Sequence, residues 1–344
     1  MARYVGMAFG AALMTAAAFP ALAQSDALAK FYQGKQISLI VYSTAGSTYD
    51  IYGRLLGRHM GKHIPGNPSF VAQNMPGAGG LKAADYLYNI AAKDGTVIGT
   101  ISRGNPFEPL IGSTKINFDP LKFTWLGSMN REVSVAVSWH TVPVKTIDDL
   151  MRRELIIPGT GAGADSQIIP LAINNLAGTK FKIIPGYAST TRAALAMEQG
   201  EIEGIGYWSW SAIISGHPDW LRDKKLNIIF HTGAADYAEL PGVPKIRDRA
   251  KSDDDRKALD LLLAREVLGR PFVAPPDLPA DRAKALKTAF NETHKDAEFL
   301  ADAKRGHIDI ELVTGDEVEA LLKEVFAYPP AVIRHTKDIL SNIQ

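Results

Sequence analysis

The 344-residue sequence contains no cysteine, which excludes thiol catalysis, disulfide bonds and metal sites built on thiolates. It also has almost no net charge: 38 lysines and arginines face 37 aspartates and glutamates. The chain therefore lacks the basic excess with which proteins bind nucleic acid. Its composition, 46% hydrophobic and 22% charged, is typical of a globular protein, and its length predicts two domains.

The first 23 residues have the order of an export signal. Arg3 is the only charged residue before Asp26, and residues 4–19 are apolar and mostly small. Ala21 and Ala23 then place small side chains where a signal peptidase cleaves. We predict cleavage after Ala23 and export to a bacterial periplasm. An uncleaved anchor is the alternative, although the apolar stretch is short for a membrane span.

Patterns typical of strands and helices alternate along the rest of the chain. The β-branched run at 36–42 predicts a buried strand, and residues 49–64 have helical spacing. This alternation predicts an α/β fold whose sheets are mostly parallel and flanked by helices. Because residues 140–234 contain a complete alternation of their own, we predict that they form a lobe inserted into a discontinuous lobe of residues 24–139 and 235–344.

Four turns rich in glycine and hydroxyl groups each lead from a predicted strand toward a helix. They cover residues 43–50, 74–80, 158–166 and 185–191. Helix N-termini carry unpaired amides and a partial positive charge, and glycine lets a ligand approach the backbone. Such turns suit a carboxylate or a phosphate and lie at the carboxyl ends of strands. We expect a shared cleft, with simple helix capping, for example by Ser47 and Asp50, as the alternative.

Other patterns argue against a dinucleotide, a metal or a catalytic pair. Gly159, Gly161 and Ala164 imitate a dinucleotide fingerprint, but no acidic residue follows the next predicted strand to hold a ribose. His59 and His63 have the spacing of two zinc ligands, yet no glutamate adjoins His59, so a solvated helix end is predicted. No catalytic residue, metal or cofactor is therefore predicted.

Several of these segments together resemble one family. The segments are residues 40–50, Arg54, the loop 73–80, residues 93–96, the turn 159–166, and residues 240–244 and 272–275. They look like the extracytoplasmic solute-binding proteins of tripartite tricarboxylate transporters, the Bug-type receptors, over essentially the whole chain after the signal. The resemblance implies a two-lobed, type II periplasmic-binding (Venus flytrap) fold, a carboxylate-bearing solute held in the cleft, and delivery to a membrane permease.

Two turns depart from the usual pattern of that family. The first reads Ser47-Thr48-Tyr49 where the family commonly has glycines, and the third carries Asp165 where small polar residues are usual. Asp165 could reject an anion, cap its helix or accept an amine of the solute. The solute class therefore stays open among dicarboxylates, tricarboxylates and aromatic or amine-bearing carboxylates.

The prediction is a monomeric periplasmic receptor, not an enzyme, that closes on a small organic acid and delivers it to integral-membrane permease subunits. The predicted contacts are Ser43, Ala45, Gly46, Ser47, Thr48, Asp50, Gly79, Arg103, Gly104, Asn105, Thr160, Gly161, Ala162, Ala164, Asp165, Ser166, Tyr187, Ser189, Tyr207 and Trp208. Arg103 is either the one cation facing the solute or a surface arginine, and Trp208 either stacks on the solute or packs in the core. The alternatives are an exported hydrolase using the same cleft and a receptor that serves a sensor kinase.

Overall fold

The computed structural model of the protein describes residues 26–112, 115–161 and 164–341. The predicted export signal and Ala162 lie outside the described residues. Within these ranges, the helices are all too short or too polar to cross a membrane.

Strands and helices alternate over most of the described chain. The strands are β1 (Gln36–Val41), β2 (Ser69–Asn74), β3 (Val97–Thr100), β4 (Thr124–Ser128), β5 (Ser134–Trp139), β6 (Leu155–Gly159), β7 (Phe181–Pro185), β8 (Gly204–Ser209), β9 (Leu226–His231), β10 (Pro271–Ala274) and β11 (Val313–Thr314). The helices are α1 (Thr48–His59), α2 (Leu81–Asn89), α3 (Glu108–Ile111), α4 (Ile147–Arg152), α5 (Asp165–Ala177), α6 (Thr190–Glu198), α7 (Trp210–Gly216), α8 (Pro218–Arg222), α9 (Asp253–Leu263), α10 (Ala280–Thr293), α11 (Ala297–Arg305), α12 (Gly315–Phe326) and α13 (Pro330–Ser341). Short 3₁₀ turns lie between them, and residues 26–32 form a further helical segment.

The first sheet has six strands in the order β11-β4-β10-β3-β1-β2. Side chains alternate across β1, so that Leu39 packs on one face with Leu55 of α1 while Ile40 packs on the other with Leu87 of α2. Because β1 is covered on both faces, most of its residues are apolar. The sheet therefore has helices on both sides and holds the N-terminus of α1 at its edge.

The central part of the chain forms a second set of strands. β5 lies between β8 and β9 in an antiparallel sheet, and β6 pairs in parallel with β7. Helix α6 covers this sheet with Ala193 and Met197, which pack among Val135 and Val137 of β5. Helices α9 and α13, from the C-terminal third of the chain, pack against α5.

The α/β class with flanking helices is confirmed, but fewer strands are parallel than we predicted. Among the described strands, β1 pairs in parallel with β2 and β3, and β6 with β7, whereas every other pairing is antiparallel. The reason is that β10 pairs with β3 and β4 from the first half of the chain, and β5 pairs with β8 and β9, from which other strands separate it, so no single crossover helix sets the direction of these pairs. β5 also lies in the second sheet, although the predicted boundary at residue 139 places it with the first lobe.

Candidate functional site

A cavity of about 460 Å³ lies between the two sets of strands, and all four predicted turns contribute to its wall. From the first sheet it is lined by Tyr42, Ser43, Thr44, Ser47, Thr48, Tyr49, Pro76, Gly77, Ala78, Gly79, Gly80, Ser102, Arg103 and Arg270. From the other side it is lined by Thr160, Ala164, Asp165, Ser166, Ala188, Ser189, Thr190, Thr191, Tyr207, Trp208, Ser209 and Ala212. Its volume is in the range of sites for small molecules.

The structure places the predicted contacts in three groups. Those that line the cavity are Ser43, Ser47, Thr48, Gly79, Arg103, Thr160, Ala164, Asp165, Ser166, Ser189, Tyr207 and Trp208. Those beside it are Ala45, Gly46, Asp50, Gly104, Asn105, Gly161 and Tyr187, and Ala162 lies outside the described residues. The residues beside the cavity mostly hold the turns in shape, as the following contacts describe.

The N-terminus of α1 is organised by Asp50, which is almost completely buried. Its Oδ2 accepts hydrogen bonds from the Gly46 amide and Arg54 Nε, both at 2.9 Å, and its Oδ1 accepts one from Asn74 Nδ2 at 2.8 Å. Burial acts to raise the pKa of Asp50, but these donors outweigh it and lower the pKa. Asp50 is therefore an ionised positioning residue that ties the first turn to the second.

Two pairs of hydroxyl groups mark the helix N-termini on either side of the cavity. On the first side, Ser43 Oγ and Ser47 Oγ are 2.6 Å apart, and Ser47 is the N-cap of α1. On the second side, Thr160 Oγ1 and Ser166 Oγ are 2.7 Å apart at the start of α5. Each helix thus presents hydroxyls and amides with a partial positive charge to one space, an arrangement suited to an anion.

The second turn is held against the loop after β3 by Asn105. Its Oδ1 accepts a hydrogen bond from the Ser102 amide at 3.1 Å, and its Nδ2 donates one to the Gly79 carbonyl at 3.2 Å. Gly80 has a φ of +95°, and a Cβ there would lie 2.8 Å from Asn105 Oδ1 and 2.9 Å from Tyr42 Cδ2. Only glycine fits this position, so the turn is built for close approach.

Asp165 pairs with two arginines and does not cap helix α5. Its carboxylate lies 3.3 Å from Arg103 Nε and 2.5 Å from Arg265 Nη1. Helix α5 has Ala164 as its N-cap, without a side-chain hydrogen bond. Position 104 requires glycine, because a Cβ there would collide with Asp165 Oδ1 and Arg265 Nη1. Asp165 therefore bridges the start of α5 and the loop after β3.

Arg103 is buried and fully partnered, so it is not a surface arginine. Its Nη1 lies 2.8 Å from Glu266 Oε2, and its Nη2 donates to Ser134 Oγ at 2.8 Å. The guanidinium also lies 4.8 Å from the centre of the Tyr207 ring, whose hydroxyl donates to Glu266 at 2.6 Å. Burial acts to lower the pKa of Arg103, but the charge of Glu266 raises it, so the guanidinium stays protonated.

Arg270 is a second buried cation at the cavity, and our sequence reasoning missed it. The guanidinium lies 3.3 Å from Glu132 Oε2 and donates to Ser211 Oγ at 3.1 Å. It stacks between the rings of Tyr49 and Tyr52, at 4.7 and 5.0 Å from their centres. In the sequence Arg270 belongs to no motif, and only the return of β10 into the first sheet brings it to the site.

The fold is similar to the folds of several solved proteins, among them a periplasmic binding protein. The structure of the periplasmic binding protein BugD gives a TM-score of 0.69 over 90% of this chain and 98% of that chain, at 16% identity. MatC of Rhodopseudomonas palustris, solved with bound malate, gives 0.68 over 89% and 99%, at 18% identity. A second protein of that organism, solved with adipate, gives 0.66 over 90% and 97%, at 17% identity.

A protein of Cupriavidus necator is similar to this chain in sequence. The UPF0065 protein in the gbd 5' region of Cupriavidus necator is 29% identical over 258 residues, which are 71% of this chain and 72% of that protein. No protein-family model matches the chain. The two-lobed periplasmic-binding fold and the resemblance to Bug-type receptors, both predicted from the loop motifs, are confirmed by these likenesses.

Proposed function

We propose that the protein is a periplasmic receptor that captures a small organic acid between two lobes and delivers it to a tripartite tricarboxylate-type permease. One observation carries this proposal: the N-termini of α1 and α5, each with a pair of hydroxyls, face one cavity between the two sheets. The malate and adipate bound by two proteins of the same fold are consistent with a carboxylate in that place.

The binding step uses groups that are already in position. A carboxylate between the two helix starts accepts hydrogen bonds from amides and hydroxyls, and the helix dipoles favour its negative charge. We propose that two lobes, each built around one of the two sets of strands, move about the crossing segments near 129–133 and 232–235. Closure excludes water, which strengthens each of these hydrogen bonds.

The composition of the cavity favours binding over catalysis. An esterase or amidase needs a hydroxyl nucleophile within hydrogen-bonding distance of a base. The described lining residues include many hydroxyls but neither a histidine nor a lysine, and the carboxylate of Asp165 is held by two arginines. We therefore propose that the hydroxyls bind the solute and do not attack it.

Thermal unfolding with a panel of organic acids tests the proposal. An acid present at about 100 times its dissociation constant stabilises the folded state by about 2.7 kcal/mol, which raises the melting temperature by several degrees. The double variant Ser47→Ala/Thr160→Val should lose that rise because it removes one hydroxyl from each side. Ser252→Ala is the matched control. Ser252 also caps a helix, α9, by accepting a hydrogen bond from the amide three residues on, but it is not among the residues that line the cavity.

Two outcomes would contradict the proposed receptor. A panel in which no carboxylate shifts the melting temperature, together with turnover of an ester or amide, would favour the hydrolase. An unchanged shift in the double variant would show that the acid binds elsewhere. Gene deletion separates the two receptor roles: loss of solute uptake indicates a permease partner, whereas loss of a transcriptional response with normal uptake indicates a sensor kinase.

A further inference from the structure

We propose that the solute of this receptor carries a single carboxylate on an uncharged, planar aromatic body. This inference rests on the proposed function and narrows it, because it names the class of acid that the cavity selects. It is carried by two features of the cavity: the pairing of every charged side chain in its described lining, and the rings on its walls.

The charges at the cavity cancel one another. Its described charged lining residues are Arg103, Asp165 and Arg270. Arg103 is shared between Asp165 and Glu266, Arg265 completes the pairing of Asp165, and Arg270 pairs with Glu132. Three cations thus face three anions. The helix dipoles and hydroxyls are the groups left to bind a ligand, and none of them carries a full charge.

A second charged group on the solute would find no unpaired charged side chain among the described lining residues of this cavity. A second carboxylate would have to compete with Asp165, Glu266 or Glu132 for a guanidinium, and displacing one of them would leave a buried charge unpaired. An amine on the solute would likewise have to compete with an arginine for a carboxylate. The carboxylate of Asp165 is held by two arginines, and that of Asp50 by Arg54, Gly46 and Asn74. The remainder of the solute is therefore uncharged.

Four aromatic rings, two from each side, are among the residues that line the cavity. Tyr42 and Tyr49 belong to the first side and meet edge to face, with ring centres 4.5 Å apart. Tyr207 and Trp208 belong to the second side, where each is only 4% exposed, and Trp208 also packs in the core against Trp220 with ring centres 6.4 Å apart. Tyr49 and Tyr207 are each fixed by a guanidinium on one face, so neither ring has to be ordered by the solute. A flat aromatic body gains offset or edge-to-face contacts with such walls, whereas a puckered saturated ring does not.

Calorimetric titration of the wild-type protein with matched acids tests both features. Benzoate against cyclohexanecarboxylate isolates the flat ring, benzoate against terephthalate isolates a second carboxylate, and benzoate against 4-(aminomethyl)benzoate isolates an amine. We expect benzoate to bind at least tenfold more tightly than each of the other three. Equal or tighter binding of terephthalate, of the saturated acid, or of malate and adipate would overturn the inference while leaving the proposed function intact. No binding of any acid would overturn both.

A charge variant tests the pairing argument separately. Asp165→Asn removes one anion and leaves a surplus positive charge beside the cavity, so the penalty against terephthalate should shrink at least threefold. Asp253→Asn is the matched control, because Asp253 also occupies the first position of a long helix but is exposed and pairs with the exposed Arg256. An unchanged penalty in a folded Asp165→Asn protein would overturn the pairing argument. If that variant does not fold, the wild-type titrations still decide the inference.

Discussion

Glu108 provides a test of the ion network behind the cavity, because its charge depends on pH. This residue opens the short helix α3, is 6% exposed, and its Oε2 has no hydrogen-bond partner. Burial raises the pKa of Glu108 from the ordinary 4.5 to about 7. The positive charge of Arg265 acts to lower this pKa, and the negative charge of Asp165 acts to raise it. We expect Glu108→Gln to remove a pH-dependent cost from the folded state.

The sign and size of this cost follow from the two pKa values. Because the folded pKa is above the unfolded one, the contribution of Glu108 to stability is fully present below pH 4.5 and is lost as the pH rises through about 7. At about 1.4 kcal/mol per pKa unit, the loss amounts to at most about 3.5 kcal/mol. The glutamine variant lacks this loss, so it should be more stable than the wild type at pH 8 and nearly equal to it at pH 4.5.

Urea unfolding between pH 4.5 and 8 measures the difference directly. The free energy of unfolding of Glu108→Gln minus that of the wild type should grow with pH and level off above pH 7. Glu324→Gln serves as control, since Glu324 is an exposed glutamate on α12. A difference that stays constant over this range, or that is largest at low pH, would refute the reasoning about the burial of Glu108.

Two further substitutions test how the walls of the cavity are held. Glu132→Ala leaves the guanidinium of Arg270 buried without its anion, so urea unfolding should show a loss of about 3–5 kcal/mol, and a loss below 1 kcal/mol would contradict the pairing. Gly80→Ala places a Cβ against Asn105 and Tyr42 at a positive φ, so about 1–3 kcal/mol of stability should be lost in the same assay. An unaltered stability of that variant would show that the second turn can shift.

The parts of the site that the sequence predicts are those made by neighbouring residues. Ser47 caps α1 by accepting from the amide of Asp50 at 3.4 Å, and this contact spans only three positions. The glycines of the second turn and the hydroxyls of the third are equally local, because a turn before a helix has its own residue preferences. Four such turns met at one cavity because the carboxyl ends of strands carry the turns that follow them.

The ion network could not be predicted, because its members come from distant parts of the chain. Arg103 and Glu266 are 163 positions apart, and Arg265 and Asp165 are 100 apart. No pattern of spacing relates such pairs. The direction of β10 could not be predicted either, because an apolar strand has the same sequence pattern in parallel and in antiparallel pairing. Asp165 illustrates the result, since its neighbours in the sequence favoured a cap and its neighbours in space make it an ion-pair partner.

The buried arginines explain how this cavity can attract an anion without being selective for highly charged ones. Arg103 and Arg270 each stack on a tyrosine of the wall and each has a glutamate within hydrogen-bonding distance. Their charges are thereby used to hold Tyr207 and Tyr49 in place, and they are not free to pair with a solute. Attraction of a carboxylate is left to hydroxyl groups and to the fixed dipoles of helices whose N-termini line the cavity, and these carry no full charge. Discrimination among acids then depends on the uncharged remainder of the solute, and that remainder meets a wall that includes four aromatic rings.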